Sequence, residues 1–208
     1  MHEPSMTTTQ HASNAMLKQM VAELNGAGIV PILSLDNRLA ASNLGLSISM
    51  PCALPEDDLL AQLAGLEFAR FYENWPQSFW IPGGNDLAAA MIANAILEAN
   101  LSVPAVLHGG GSCPAPQRQI SRPGQLGGAI EFLVATYLIV QSAGTLLSVS
   151  NNWYDKDFCW WPEWDVDFGT PTGLAVRTST HSWIRNYTRA NVVVDVSTAQ
   201  HGSVYLLA

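Results

Sequence analysis

Charge is scarce in this 208-residue chain: only 12% of the residues are Asp, Glu, Lys or Arg, and just nine of them are basic. Those nine form no run, and the net charge of −8 argues against nucleic acid and anionic membranes, which both need a positive surface. A neutral or cationic ligand fits this balance better. Cysteine is rare too. Cys52, Cys113 and Cys159 show no C-x-x-C spacing, so they build neither a zinc site nor a thioredoxin-like motif; one disulfide with a free thiol and three reduced thiols both fit. No apolar run is long enough for a membrane span, the best one, residues 129–140, holding Glu131 and Thr136 and stopping at Gln141. The opening MHEPSMTTTQHASNAML lacks the basic-then-apolar order of a signal peptide. The expectation is a soluble chain, secretory only with a further upstream segment.

Several site motifs are missing as well. There is no G-x-S-x-G elbow for a serine triad, and the glycines at 83–84 and 109–111 lack the Lys and Ser or Thr of a phosphate-binding loop. The acids between 155 and 167 do not follow the spacing of a calcium-binding EF-hand. Nothing in the sequence calls for a cofactor or a metal.

What is present is a core-forming composition, 48% hydrophobic, long enough for one sizeable domain. Residues 1–13 are expected to be disordered. NAMLKQMVAEL (14–24) spaces its apolar side chains for a helix with Asn14 as N-cap. IVPILSL (29–35) reads as a buried strand, weakened by Pro31, and PEDDLLAQLAGL (55–66) as a helix with Pro and three acids in its first turn. FARFYEN (68–74) reads as a strand closing on Glu73, or else prolongs that helix. DLAAAMIANAILEANL (86–101) is an Ala-rich helix, and VPAVLHGGG (103–111) a strand closing on His108, whose glycines allow a tight turn or a close approach to a ligand. The nearly all-apolar GGAIEFLVATYLIVQSAG (127–144) reads as a helix and TLLSVSNN (145–152) as a strand.

This alternation predicts an α/β fold with a parallel sheet and right-handed crossovers. Its repeats of roughly 35 to 40 residues match the units of a (β/α) barrel, in which eight are needed for closure. Residues 14–173 are therefore expected to form four βα-type units like the C-terminal half of a (β/α)8 barrel. SWIRNYT, NVVVDVS and GSVYLLA, within 174–208, read as a small antiparallel meander packed on the same domain. A half barrel has exposed sheet edges, through which a homodimer could form.

Ligands of parallel sheets bind at the carboxyl ends of the strands, which here carry Asp36, Glu73, His108 and the stretch from Asn151. NNWYDKDFCWWPEWDVDFGTPTG (151–173) gathers Trp153, Tyr154, Trp160, Trp161 and Trp164 with Asp155, Asp157, Glu163, Asp165 and Asp167, without helix or strand periodicity. Flat apolar rings beside carboxylate acceptors suit a sugar, which stacks its C–H face and donates its hydroxyls. A second, local core with turn-capping carboxylates fits the same residues. Asp36 and Glu73 are the candidate catalytic pair, one carboxyl acting as acid and the other as nucleophile or base. His108, Trp153, Tyr154, Asp155, Asp157, Trp160, Trp161, Asp165 and Asp167 are candidate sugar-binding residues. Asp36 also fits an Asx turn, Glu73 a helix surface, and His108 a hydrogen-bonded rim position.

RFYENWP (70–76), MIANAILEA (91–99), VPAVLHG (103–109), the aromatic stretch with D-x-D-x-G-x-P-x-G at 165–173, and SWIRNYTRANVVVDVS (182–197) together resemble the C-terminal half of hypothetical glycoside-hydrolase-like proteins. The resemblance covers about residues 15 to 207. It implies the last four strands of a (β/α) barrel and a glycosidase activity, with Asp36 and Glu73 at strand ends and Trp160, Trp161, Asp165 and Asp167 in the closing motif. Fuller members have an upstream half. The chain is thus expected to be a piece of a larger enzyme, a carbohydrate-binding module without catalysis, or an inactive half barrel.

Overall fold

The computed structural model describes residues 8–34, 63, 65–73, 75–76, 84–110, 130–150, 161–197 and 201–207. Helix α1 (Thr8–Gly26) leads into β1 (Ile32–Ser34), and β2 (Ala69–Glu73) follows. Then come α2 (Gly84–Asn100), β3 (Ala105–Gly110), α3 (Glu131–Val140) and β4 (Thr145–Ser150). A 3-10 turn (Pro162–Asp165) precedes β5 (Val176–Ser179), β6 (Ser182–Asn186), β7 (Ala190–Asp195) and β8 (His201–Leu206). Of the helix expected over 55–66 only Leu63, Gly65 and Leu66 are described, and these form turn and irregular chain; the rest lies outside the described residues, as do the three cysteines. Helix α1 starts six residues ahead of Asn14 and runs into the segment expected to be disordered, because no Gly or Pro interrupts Thr8 to Asn14.

The fold is mixed α/β. Strands β1 to β4 form a parallel sheet in sequential order, and β5 to β8 a separate antiparallel sheet, also in sequential order. Parallel register sets Arg70 level with Ala105 and Ala105 with Thr145; one step on, Phe71, Val106 and Leu146 line up. Neighbours in register share a face. Arg70, Tyr72, Ala105, Leu107 and Thr145 are buried, on the face that meets the helices. The opposite face carries Ile32, Phe71, Val106, His108, Leu146 and Ser148, and there Ile32 and Leu146 are 62% and 63% exposed.

Helix α3 is the centre of the molecule. Its sequence EFLVATYLIV is apolar almost all round, and Leu133 to Thr136 and Leu138 to Val140 are buried. A helix with no polar stripe must be covered on every side. Here the parallel sheet and α2 take one side and β6, β7 and β8 the other, so one core joins Leu107, Ile92 and Leu138 to Trp183, Val192, Val194 and Val204. Gly109 allows the contact between α3 and β3: a Cβ there would stand 2.7 Å from Leu133 Cδ2. The expectation that this glycine serves a turn or a ligand gives way to that close approach, inside the strand. A smaller core of Val21, Leu33, Leu63 and Phe68 lies beneath α1.

The meander has four strands where the sequence pattern predicts three. Strand β5 leaves no strand pattern in the sequence because all four of its residues are exposed, without apolar alternation; it joins β6 by backbone pairing with an irregularity between Arg177 and Ser179.

Candidate functional site

The carboxyl-terminal rim of β1–β4 is assembled by register. Glu73 is level with His108, and His108 with Ser148. The His108 ring lies against Phe71, with centroids 5.8 Å apart and planes 21° from parallel. The backbone N–H of Trp75, just past β2, donates to the His108 carbonyl at 2.7 Å and ties the outgoing chain to the rim. Trp75 itself is fully buried, its Nε1 donating to Thr136 Oγ1 at 3.1 Å and its ring edge-on to Tyr72 at 5.2 Å. It anchors the rim from below. Phe71 escapes a search for polar residues alone, yet the alternation in Arg70-Phe71-Tyr72-Glu73 is the signal that sets it on the side of the sheet shared with His108.

Asp36, Trp153, Tyr154, Asp155, Asp157 and Trp160 lie outside the described residues. Trp161 is 1% exposed and belongs to the central core, so as placed it offers no ring face to a ligand. Its role as a sugar platform is corrected to that of a core side chain. Glu163 is buried, and its Oε1 accepts from the Ile130 N–H at 3.3 Å, a carboxylate placed at the N-terminal end of α3 where unpaired N–H groups favour it.

Asp165 and Asp167 are exposed on the extended chain that follows. The Asp167 carboxylate accepts from the Gly169 N–H at 2.8 Å and from Arg189 Nη1 at 2.6 Å, which makes it a turn former and a surface ion pair. Gly169 has φ +76°, a left-handed conformation that favours glycine, and a Cβ there would collide with Thr188 Oγ1. Thr170 and Thr172 then bond to 186–188: the Thr188 N–H donates to the Thr170 carbonyl, and the Thr172 N–H to the Asn186 carbonyl, both at 2.9 Å. The D-x-D-x-G-x-P-x-G pattern is therefore at least partly a fastener between the aromatic stretch and the β6–β7 turn.

The W-x-R-x-Y pattern is architectural too. Trp183, Arg185 and Tyr187 alternate onto one buried face of the meander. Arg185 Nη1 donates to the carbonyls of Leu138, Ile139 and Gln141 at 3.0, 3.2 and 2.8 Å, and its Nε to that of Gly173 at 3.1 Å. The guanidinium thus closes the C-terminal end of α3, where the helix leaves carbonyls unpaired and the dipole favours a cation. The Tyr187 hydroxyl donates to the Leu138 carbonyl at 2.6 Å and lies 2.9 Å from Gln141 Oε1. Burial pushes this phenol well above its ordinary value, against an opposing pull from Arg185.

A second charged group is hidden between β2 and α2. Arg70 Nε meets Glu98 Oε1 at 2.7 Å, both side chains buried, and the Tyr72 hydroxyl donates to Glu98 Oε2 at 2.8 Å. Arg70 stands near the start of β2 and Glu98 in the last turn of α2, so the pair sits toward the N-terminal ends of the strands, where it secures packing away from the rim.

Among the described residues no three of His, Cys, Asp and Glu gather as metal ligands, and no helix is long and apolar enough to cross a membrane. No protein-family model matches the chain, and a search of curated proteins finds no match.

Proposed function

We propose that this chain is a carbohydrate-active, glycoside-hydrolase-like protein, and that its parallel sheet is one half of a (β/α) barrel with the sugar bound along the carboxyl-terminal rim. Strand order supports the half barrel: β1 to β4 follow one another without the reversal that marks a doubly wound sheet. One face meets the helices and the other carries Ile32, Phe71, Val106 and Leu146, the arrangement a barrel wall needs.

The observation that carries the sugar assignment is the register of Glu73 with His108, beside the Phe71–His108 stack, at the end of the strands. An aromatic ring stacked on an imidazole, with a glutamate in register at the same strand end, offers stacking, a hydroxyl acceptor and a proton carrier for a sugar. Asp36 follows the end of β1 by two residues in the sequence, and we assign it the second carboxyl of the pair beside Glu73. One, kept protonated, gives its proton to the leaving oxygen; the other, ionised, attacks the anomeric carbon or activates a water.

Incubating the intact chain with a broad panel of glycosides tests this. Hydrolysis is expected, with a fall of about 10²-fold or more in Glu73→Gln and in Asp36→Asn while binding of the same glycan persists. Binding without hydrolysis in the intact chain would make this a carbohydrate-binding surface without catalysis, and neither binding nor hydrolysis would sink the sugar assignment.

A further inference from the structure

Asn25, in the last turn of α1, ties the helix to the chain that enters β2. Its Nδ2 donates to the Glu67 carbonyl at 2.8 Å and to the Ile29 carbonyl at 3.1 Å, while its Oδ1 accepts from the Glu67 N–H at 2.7 Å. Reading both the N–H and the C=O of one residue takes a group that accepts at one end and donates at the other. An amide does this and a carboxylate does not. On either side of Glu67, Leu66 and Phe68 pack in the smaller core with Val21 and Leu33, so the amide fastens α1 where its apolar side is already buried.

The helix closes just past this residue. Gly28 has φ +76°, its N–H donates to the Asn25 carbonyl at 2.9 Å, and the Ile29 N–H donates to the Leu24 carbonyl at 2.9 Å, the left-handed turn that ends many helices. Between them stands Gly26, which makes the one Asn-Gly step in the sequence. Such a step is chemically labile, since glycine has no side chain to keep its own backbone nitrogen from reaching the preceding side-chain carbonyl. Gly26 is exposed, a Cβ on it would meet nothing within 4 Å, and it is not among the glycines with positive φ. Neither packing nor a left-handed backbone asks for glycine there.

We propose that Asn25 is a modification site, at which spontaneous deamidation unlatches α1. The Gly26 nitrogen gives up its proton and bonds to Asn25 Cγ, the Cγ–Nδ2 bond breaks, and ammonia leaves. Water then opens the resulting succinimide at either carbonyl, giving aspartate or isoaspartate; nothing is oxidised or reduced. Helical backbone turns the Gly26 nitrogen away from Cγ and three hydrogen bonds hold the amide, so ring closure waits for the last turn to fray. The product makes the fraying permanent. Aspartate still accepts from the Glu67 N–H but sets a negative oxygen against the carbonyls of Glu67 and Ile29, and isoaspartate also adds a methylene to the backbone. Val21 then parts from Leu33 and Phe68, and β1 loses the cover of α1.

Ageing the intact chain at body temperature and mildly alkaline pH, then mapping its tryptic peptides by tandem mass spectrometry, tests the site. Asn25, in the peptide from Gln19 to Arg38, is expected to convert before any other asparagine, and Gly26→Ala to lose the conversion with its far-UV circular dichroism kept. Lys18, exposed on α1, reports the latch. Brief trypsin treatment of the folded chain should cut after Lys18 about tenfold faster in Asn25→Asp than in the unaltered protein. Should Asn25→Asp fail to fold, aged and fresh samples of the unaltered protein are compared in its place. Conversion of another asparagine first, no conversion at all, or conversion undiminished in Gly26→Ala overturns the modification. Equal cutting after Lys18 overturns the latch.

Discussion

Tyr187 and Arg185 act together on the same few carbonyl oxygens at the end of α3, and their division of labour can be separated by pH. Below about pH 10, the ordinary range of a phenol, Tyr187 keeps its proton in the folded and the unfolded chain alike. Above that range the unfolded phenol ionises while burial holds the folded one protonated, so the native state binds more protons and stability falls as pH rises. Tyr187→Phe removes this loss. At neutral pH the variant is expected to be weaker by only about 0.5–1.5 kcal/mol, since the Leu138 carbonyl keeps its bond from Arg185. Urea titrations of both proteins at neutral and at alkaline pH check it: the gap should narrow or reverse on the alkaline side, and a gap that widens would mean the phenol does not stay protonated in the folded state.

Helix α3 shows which parts of the architecture a sequence discloses and which it withholds. Its apolar run and the alternation of β6 and β7 carry a period, and period is what one strand or helix can announce about itself. The strand reading of Ala69–Glu73, the Ala-rich α2 and the parallel order of β1–β4 all follow from such patterns. Strand β5 carries none, because an edge strand with no buried residue leaves composition unconstrained. The aromatic stretch is ambiguous for the opposite reason: Trp161 is a core residue and Asp167 a turn former, as the local-core alternative expects, and tryptophan and aspartate look the same in a sugar site. Gly109 reads in the sequence as a tight turn or an approach to a ligand, and the group that approaches it here is Leu133. Gly109→Ala should therefore cost about 1–3 kcal/mol through overpacking against a buried leucine, read as a lower urea midpoint at unchanged slope. Pairing with Leu133→Ala should recover part of that loss, whereas strictly additive costs would place the clash elsewhere.

The parallel sheet and the antiparallel meander look like two units along the chain, yet they share one core. Trp183, Val192, Val194 and Val204 pack with Leu107, Leu138 and Ile139, and Arg185 reaches across to the end of α3. The contacts extend to the helix before it, where Asn85 Nδ2 donates to the Ser197 carbonyl at 2.6 Å and His181 Nε2 meets Asp86 Oδ1 at 2.7 Å. Neither half can bury α3 alone, since a helix apolar on all sides needs both covers. The molecule should accordingly unfold in one transition, with tryptophan fluorescence and far-UV circular dichroism losing signal at the same denaturant concentration. Removing residues 174–208 takes away the outer cover and the cation at the helix end together, so the shortened chain is expected to lose cooperative melting and to bind a hydrophobic dye. If it instead kept a sharp transition, the parallel sheet with its helices would be self-sufficient, and the W-x-R-x-Y pattern would have to be explained by something other than holding α3.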